Sequence, residues 1–185
     1  AAEWPQLQGD AGRSGNAPTE ILNEPMGLMG TVPLTDAVHA APVVSNGTVY
    51  LIDGSGVVFA IDAKTLKVKW RFRTKGGPGN CNNVAAPAVI GKYLHVGTMA
   101  GYYYVLDCKN GSVVKTIDCA EPIFSAPAVG SDRVYFATLG ARIYAISAKG
   151  EIAWTWDFVK EVIEFKGNRW SGADWVKFRG DRVTW

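Results

Sequence analysis

No stretch of this sequence approaches the ~18 consecutive apolar residues of a membrane-spanning helix, so no membrane span is expected. Charge of one sign is also missing. Nineteen Lys and Arg stand against 17 Asp and Glu, the formal net charge is +2, and no basic run or basic helix occurs, which argues against nucleic acid as a partner. The three cysteines cannot all pair within the chain, and without Cys-x-x-Cys or Cys-x-x-Cys-His neither zinc nor covalent haem finds its spacing. His39 and His95 are the only histidines, and no metal site is expected. Gly-x-Ser-x-Gly, a phosphate loop and His-Glu-x-x-His are all lacking, so no catalytic residue can be assigned.

What the chain does contain is a repeat, with residues 86–119 as its unit. A shift of 45 positions lays Ala86-Pro87 on Ala41-Pro42, Gly101 on Gly56, Tyr104 on Phe59 and Asp107 on Asp62. A shift of 40 lays Ala86-Pro87 on Ala126-Pro127 and Tyr104 on Tyr144. Within each copy the apolar period is two, bounded by turn residues, which is the pattern of short antiparallel strands. The middle copy predicts strands at 88–90, 93–96, 102–107 and 112–117, with the last hairpin turning at Asn110-Gly111 as a type I′ turn. Four strands every 40–45 residues, with no helical period between them, read as an all-β fold: a β-propeller of four-stranded antiparallel blades. About three complete blades and parts of others are present, an incomplete ring.

In chain order, residues 1–40 are an N-terminal arm, pinned by Trp4, and a closing strand at 26–34 that Pro33 confines to a sheet edge. Blade one is 41–74, the Gly- and Asn-rich loop 75–85 follows, and blade two is 86–119. A loop at 120–125 leads to blade three at 126–158. Residues 159–172 form a connector with room for a short helix or a hairpin. Residues 173–185, with Asp181-Arg182-Val183 matching Asp132-Arg133-Val134, read as the start of a further blade. The start at Ala-Ala-Glu-Trp is what signal-peptide cleavage behind small residues leaves, and it points to an extracytoplasmic protein, in the bacterial periplasm or secreted.

Residues 60–70, Ala-Ile-Asp-Ala-Lys-Thr-Leu-Lys-Val-Lys-Trp, resemble the tryptophan-docking motif Ala-x-Asp-x-x-x-Gly-x-x-x-Trp of pyrroloquinoline-quinone-like (quinoprotein-type) propellers, with Leu66 in place of the glycine. The second copy keeps Asp107 and Gly111 but has Lys115 for the Trp. The third keeps Ala145, Gly150 and Trp154, has Ser147 for the Asp, and is one residue shorter. The opening at 4–15 is also similar to that of many such proteins. The resemblance implies that Trp70 and Trp154 are structural, each buried across the turn of a neighbouring blade with its N–H on a backbone carbonyl. It leaves two functional branches open. One is non-catalytic and binds partners, as the propeller lipoprotein of the barrel-assembly machinery does. The other is the dehydrogenases, with eight blades, pyrroloquinoline quinone and an axial calcium, and often a vicinal Cys-Cys that this sequence does not have.

Strand alternation gathers the loops between strands d and a, and between b and c, on one face. That face carries His39, Asn80, Asn82, Asn83, Glu121, Phe124, Ser125, Arg142, Arg169 and Trp170. Of these, His39, Asn80, Asn82, Asn83, Phe124, Arg142, Arg169 and Trp170 are the candidate residues for a ligand or partner, because Asn, His and Arg hold anionic or carbonyl-rich groups by directed hydrogen bonds. The same residues also read as turn formers and a solvated rim. Loop 76–83 is expected to be mobile or ordered by a ligand. The other face carries Lys64, Lys67, Lys92, Lys109, Arg133 and Lys149, either a basic rim that steers an acidic partner or lysines ordinary in exposed turns. His95 reads as core. A Cys81–Cys119 bridge and three separate thiols both remain open. The leading reading is an exported, non-catalytic module that binds protein or ligand and takes no cofactor. The alternative is part of a quinoprotein oxidoreductase, with quinone and calcium, whose remaining blades lie on another chain or a lost segment. The ring is expected to be completed by a protein partner, by such blades, or by a homodimer.

Overall fold

Period-two runs of Val, Ile, Tyr and Phe between turn residues form pleated strands because alternate side chains bury on opposite faces of one sheet. In the computed structural model, which describes residues 3–21, 25–76 and 80–180, they form three four-stranded antiparallel sheets. The first holds β1 (Val43–Ser45), β2 (Thr48–Ile52), β3 (Val57–Asp62) and β4 (Val68–Arg73) in that order. The second holds β5 (Ala88–Ile90), β6 (Tyr93–Gly97), β7 (Tyr102–Asp107) and β8 (Val113–Asp118). The third holds β9 (Ala128–Val129), β10 (Val134–Ala137), β11 (Arg142–Ile146) and β12 (Ile152–Asp157). Each sheet is one blade with strands a to d in chain order, and the chain is a run of three propeller blades.

The c–d turns differ from the expected two-residue hairpin. Only Gly111 has positive φ in the second one, and a five-residue turn closes with the Gly111 N–H on the Asp107 carbonyl at 2.8 Å. Asp107 caps it by accepting from the Lys109 N–H at 2.8 Å, and a register shift between Val105 and Leu106 absorbs the extra residue. Leu106 therefore pairs with Val113 and Tyr102 with Asp118.

The core lies in the seams between blades. Trp70 lies across the c–d turn of blade two, its Nε1 donating to the Cys108 carbonyl at 2.9 Å, with the Tyr50 hydroxyl donating to the same oxygen at 3.4 Å. Gly111 is required beneath it, since a Cβ there would stand 2.7 Å from the indole. The second seam puts His95, fully buried, at the position of Tyr50. Its Nε2 donates to the Ala148 carbonyl at 3.1 Å and its Nδ1 accepts from the Tyr103 hydroxyl at 3.2 Å. Tyr103, Phe136 and Tyr144 stack in sequence, with centroids 3.8 and 4.8 Å apart. The Lys115 stem covers Gly150, and its ammonium pairs with Glu151 at 3.2 Å.

The N-terminal arm crosses the innermost strand of every blade. Trp4 exchanges backbone bonds with Val44, the Pro5 carbonyl accepts from the Val89 N–H at 2.7 Å, and Gln6 Oε1 accepts from the Val129 N–H at 3.0 Å. Residues 44, 89 and 129 are repeat equivalents, so three successive arm residues satisfy three strand edges that would otherwise stand open.

Three expectations are corrected. Residues 26–34 form no strand. Val32 and Leu34 pack against the buried cluster of Leu51, Val57, Phe59 and Ile61, and among the described residues the segment has no partner strand. Residues 173–180 do not start a blade: Ser171 caps an eight-residue helix, α2 (Gly172–Arg179), which follows the short α1 (Phe158–Glu161). A helix makes its bonds locally, whereas a strand here would need sheet partners. Phe165 stacks on Trp175 at 3.9 Å and meets Phe178 edge-on, which fixes the helix. Residues 181–185 lie outside the described residues. Trp154 is not buried: it is 45% exposed, and no blade among the described residues lies against it. The three cysteines are free thiols, with burial pushing Cys108 and Cys119 up to about 11.

Candidate functional site

The loops of the d–a and b–c face are built by one device used three times. Asp53, Thr98 and Thr138 share a repeat position, and each side chain accepts the N–H four residues on, from Val57 at 2.9 Å, Tyr102 at 3.1 Å and Arg142 at 3.3 Å. The next N–H in each turn points to the segment that leads into that blade. Gly54 donates to the Ala37 carbonyl at 2.7 Å and Leu139 to the Pro122 carbonyl at 2.8 Å. Met99 donates instead to Asn83 Oδ1, at 2.9 Å. Asn83 thus stands in for a backbone carbonyl, and its Nδ2 donates to the Gly54 carbonyl at 3.2 Å, which ties blade one to blade two. Aligning 53, 98 and 138 in the sequence exposes this position, since all three residues bear an oxygen on Cβ or Cγ.

Asn80 is also buried. Its Nδ2 donates to Thr74 Oγ1 at 2.6 Å, and Thr74 donates to the Gly56 carbonyl at 2.7 Å. Asn80 Oδ1 is buried without a partner among the described residues. Loop 76–83 is therefore anchored at Asn80 and Asn83, while 77–79 lie outside the described residues.

Arg142 and Arg169 meet in a four-membered ionic cluster. Arg142 reaches Glu121 at 3.2 Å and Asp157 at 3.0 Å, and Arg169 reaches Glu121 at 3.5 Å and bonds Asp157 directly. Thr138 donates to Glu121, and Arg169 also donates to the Gly140 carbonyl. Burial works against the charge on Asp157, but hydrogen bonds from Arg169 and Arg142 outweigh it and hold the carboxyl down at about 2. Two cations face two anions, so the cluster is neutral and its donors are engaged. Asp53 is held below the usual carboxylate range in the same way, with burial opposed by bonds from Thr35, Val57 and Ser55.

His39, Asn82, Phe124 and Trp170 are exposed on loops of this face, and no hydrogen bond or ring contact among the described residues joins them. The candidate residues thus divide in two. Asn80, Asn83, Arg142 and Arg169 hold loops together, and the other four face outward. Sequence reasoning missed Asp53, Thr98, Thr138 and Asp157 as the partners that engage or order them.

Comparison with known proteins adds the following. The family model described as outer membrane protein assembly factor BamB matches residues 31–122 and 82–169. A protein of that description from Legionella pneumophila (strain Paris) is 28% identical over 111 residues, covering 60% of this chain and 28% of that protein. The quinohemoprotein alcohol dehydrogenase ADH IIB of Pseudomonas putida is 26% identical over 178 residues, covering 82% of this chain and 26% of that protein. The crystal structure of the quinohemoprotein alcohol dehydrogenase from Comamonas testosteroni superposes with a TM-score of 0.72 at 25% identity, over 84% of this chain and 27% of that one. The chain spans about a quarter of the length of these relatives.

Proposed function

Because the chain belongs to the family described as outer membrane protein assembly factor BamB, we propose that it is an extracytoplasmic propeller module that binds protein and performs no chemistry of its own. One observation carries this reading. On the d–a and b–c loops the polar side chains of Asn80, Asn83, Arg142 and Arg169 are engaged internally, whereas Val38, Val84, Phe124, Leu139 and Trp170 on the same loops are 37–55% exposed. A rim that exposes these apolar groups while Asn80, Asn83, Arg142 and Arg169 are committed internally suits a protein surface better than a small anion.

The wider coverage by the alcohol dehydrogenases favours a second reading, in which the chain is part of a quinoprotein enzyme. Calcium in such a site needs about 6–8 oxygen ligands. Asp53 is engaged by Thr35, Ser55 and Val57, and Glu121 and Asp157 by the two arginines. Among the described residues no three acidic, His or Cys side chains converge. These carboxylates are committed to other partners and do not by themselves supply a calcium site, so no step is derived through calcium or quinone.

A photo-crosslinking residue placed at Phe124 or Trp170 is expected to yield a discrete protein adduct in bacterial envelopes, and one placed at Lys64 on the opposite face is not. Pyrroloquinoline quinone titrated with calcium into the purified chain is expected to leave its tryptophan emission unchanged. Saturable one-to-one uptake, or adducts only from Lys64, would overturn the reading.

A further inference from the structure

We propose that the cleft between blades one and two on the a–b and c–d face is a binding site for the phosphate group of a small ester. The inference is independent of the protein-binding reading above, which concerns the loops of the other face.

The cleft encloses about 380 Å³, within the size range of small-ligand sites. Three lysines from three elements line it: Lys69 on β4, Lys92 in the β5–β6 turn and Lys109 in the β7–β8 turn. Among the described residues no carboxylate lines it. Tyr50, Val89 and Cys108 give it an uncharged wall for the organic part of a ligand, since burial keeps Cys108 a neutral thiol.

The carboxylates bonded to the surrounding turns are committed to those turns. Asp62 accepts the Lys64 and Thr65 N–H groups at 3.1 and 2.8 Å, Asp107 accepts the Lys109 N–H at 2.8 Å, and Glu3 accepts the Asn46 N–H at 2.8 Å. Lys69 donates to Thr48 Oγ1 at 2.8 Å and pairs with Asp62 at 3.3 Å, which fixes its ammonium at the cleft and leaves one of its three donors unused. The Lys92 ammonium stands 5.5 Å over the Tyr93 ring, and among the described residues neither it nor Lys109 pairs with a carboxylate. Two ammonium groups without counter-ions, beside a third held in place, match a phosphate ester, which brings nearly two charges and three acceptor oxygens. A carboxylate brings one charge and leaves an ammonium unmatched.

The repeat does not require this set. A shift of 45 positions takes Lys69 to Val114, and a shift of 40 takes Lys92 to Asp132 and Lys109 to Lys149. The second seam therefore carries one cation and one anion where the first carries three cations, and its Asp132 pairs with Arg133 at 3.2 Å. Lysines that served only to solvate hairpin turns would recur at the equivalent turns. Only Lys109 does, so the concentration of charge belongs to this seam.

The test is calorimetric titration of the full chain at low salt with glycerol phosphate, expected to show saturable one-to-one uptake that weakens as salt is added. Giving this seam the residues of the other, Lys69→Val with Lys92→Asp, is expected to abolish the uptake. Arg133→Ala with Lys149→Asp changes the net charge equally on the same face and is expected to leave uptake intact. Lys109→Ala should weaken it severalfold with an unmoved unfolding midpoint, which keeps the test valid if the double exchange fails to fold. Vesicles of phosphatidylcholine with phosphatidic acid separate two sources of the same group. Co-sedimentation that the double exchange removes would assign a lipid headgroup, and uptake in solution without co-sedimentation would assign a soluble ester. Absence of uptake from both probes would overturn the proposal. So would an equal loss in the Arg133 and Lys149 variant, which would make the attraction one of diffuse charge and not of this cleft.

Discussion

The two seams between blades perform one geometric task with different chemistry. In the first, an indole and a phenol converge on the Cys108 carbonyl and the indole covers Gly111. In the second, where Lys115 replaces the Trp, the carbonyl is held by His95 and the apolar contact passes to the Tyr103, Phe136 and Tyr144 stack. The comparison separates the requirements of the repeat from its options. Glycine in the turn and a donor for a carbonyl two or three residues before it are common to both seams; the aromatic ring over the glycine is not. It also makes one seam sensitive to acid, because only the second relies on a donor that takes up a proton in the acid range.

The largest effect is expected in the first seam. Trp70→Ala removes a half-buried ring and the better donor to Cys108, and should cost about 3–4 kcal/mol in chemical denaturation. A loss under about 1 kcal/mol would mean that Tyr50 alone holds the seam.

The second seam should fail with acid. Burial lowers His95 from 6.5 to about 4, outweighing the bond to Ala148 that favours the charged ring. The unfolded chain therefore binds the proton first. Stability from this group is complete above about pH 6.5 and is lost as pH falls toward 4, reaching about 2–3 kcal/mol by pH 4. Asp157, held near 2 against an ordinary 3.8, adds its own loss only below that window. His95→Gln, which retains a donor and an acceptor, should flatten the limb between pH 6.5 and 4. An unchanged limb would place the titration elsewhere.

Smaller effects should mark the places that the comparison treats as optional. Trp154→Ala removes a ring that is 45% exposed and should cost about 1 kcal/mol, well below its counterpart Trp70. Lys115→Met gives up an exposed ion pair with Glu151 while keeping a stem over Gly150, and should lie within about 0.5 kcal/mol of the parent. A large loss there would make the charge, not the stem, the working part of the second seam.

The strands and blades were readable because a period of two and recurrent turn residues are local signals, and three copies reinforce one another. The Trp70 contact was expected only through the resemblance of residues 60–70 to a known docking motif. The candidate site was less so. Asn80 and Asn83 look like loop residues in sequence, yet they are buried, because each replaces a backbone group that a neighbouring turn needs. Arg142 and Arg169 lie 27 positions apart, and only the approach of the connector to the end of β12 sets them around Glu121 and Asp157. Residues 172–179 carry a Ser cap and an acidic first turn, helix signals outweighed in the sequence reading by a three-residue match to an earlier strand.

The sequence by itself determined the strand order and the three complete blades, because both follow from periodicity and turn chemistry within one repeat. Only the tertiary structure decided which polar residues are consumed internally and how the arm at Trp4, Pro5 and Gln6 crosses three strand edges. Those outcomes depend on contacts between residues far apart in the chain, where burial and hydrogen-bond satisfaction outweigh the local preference of each residue.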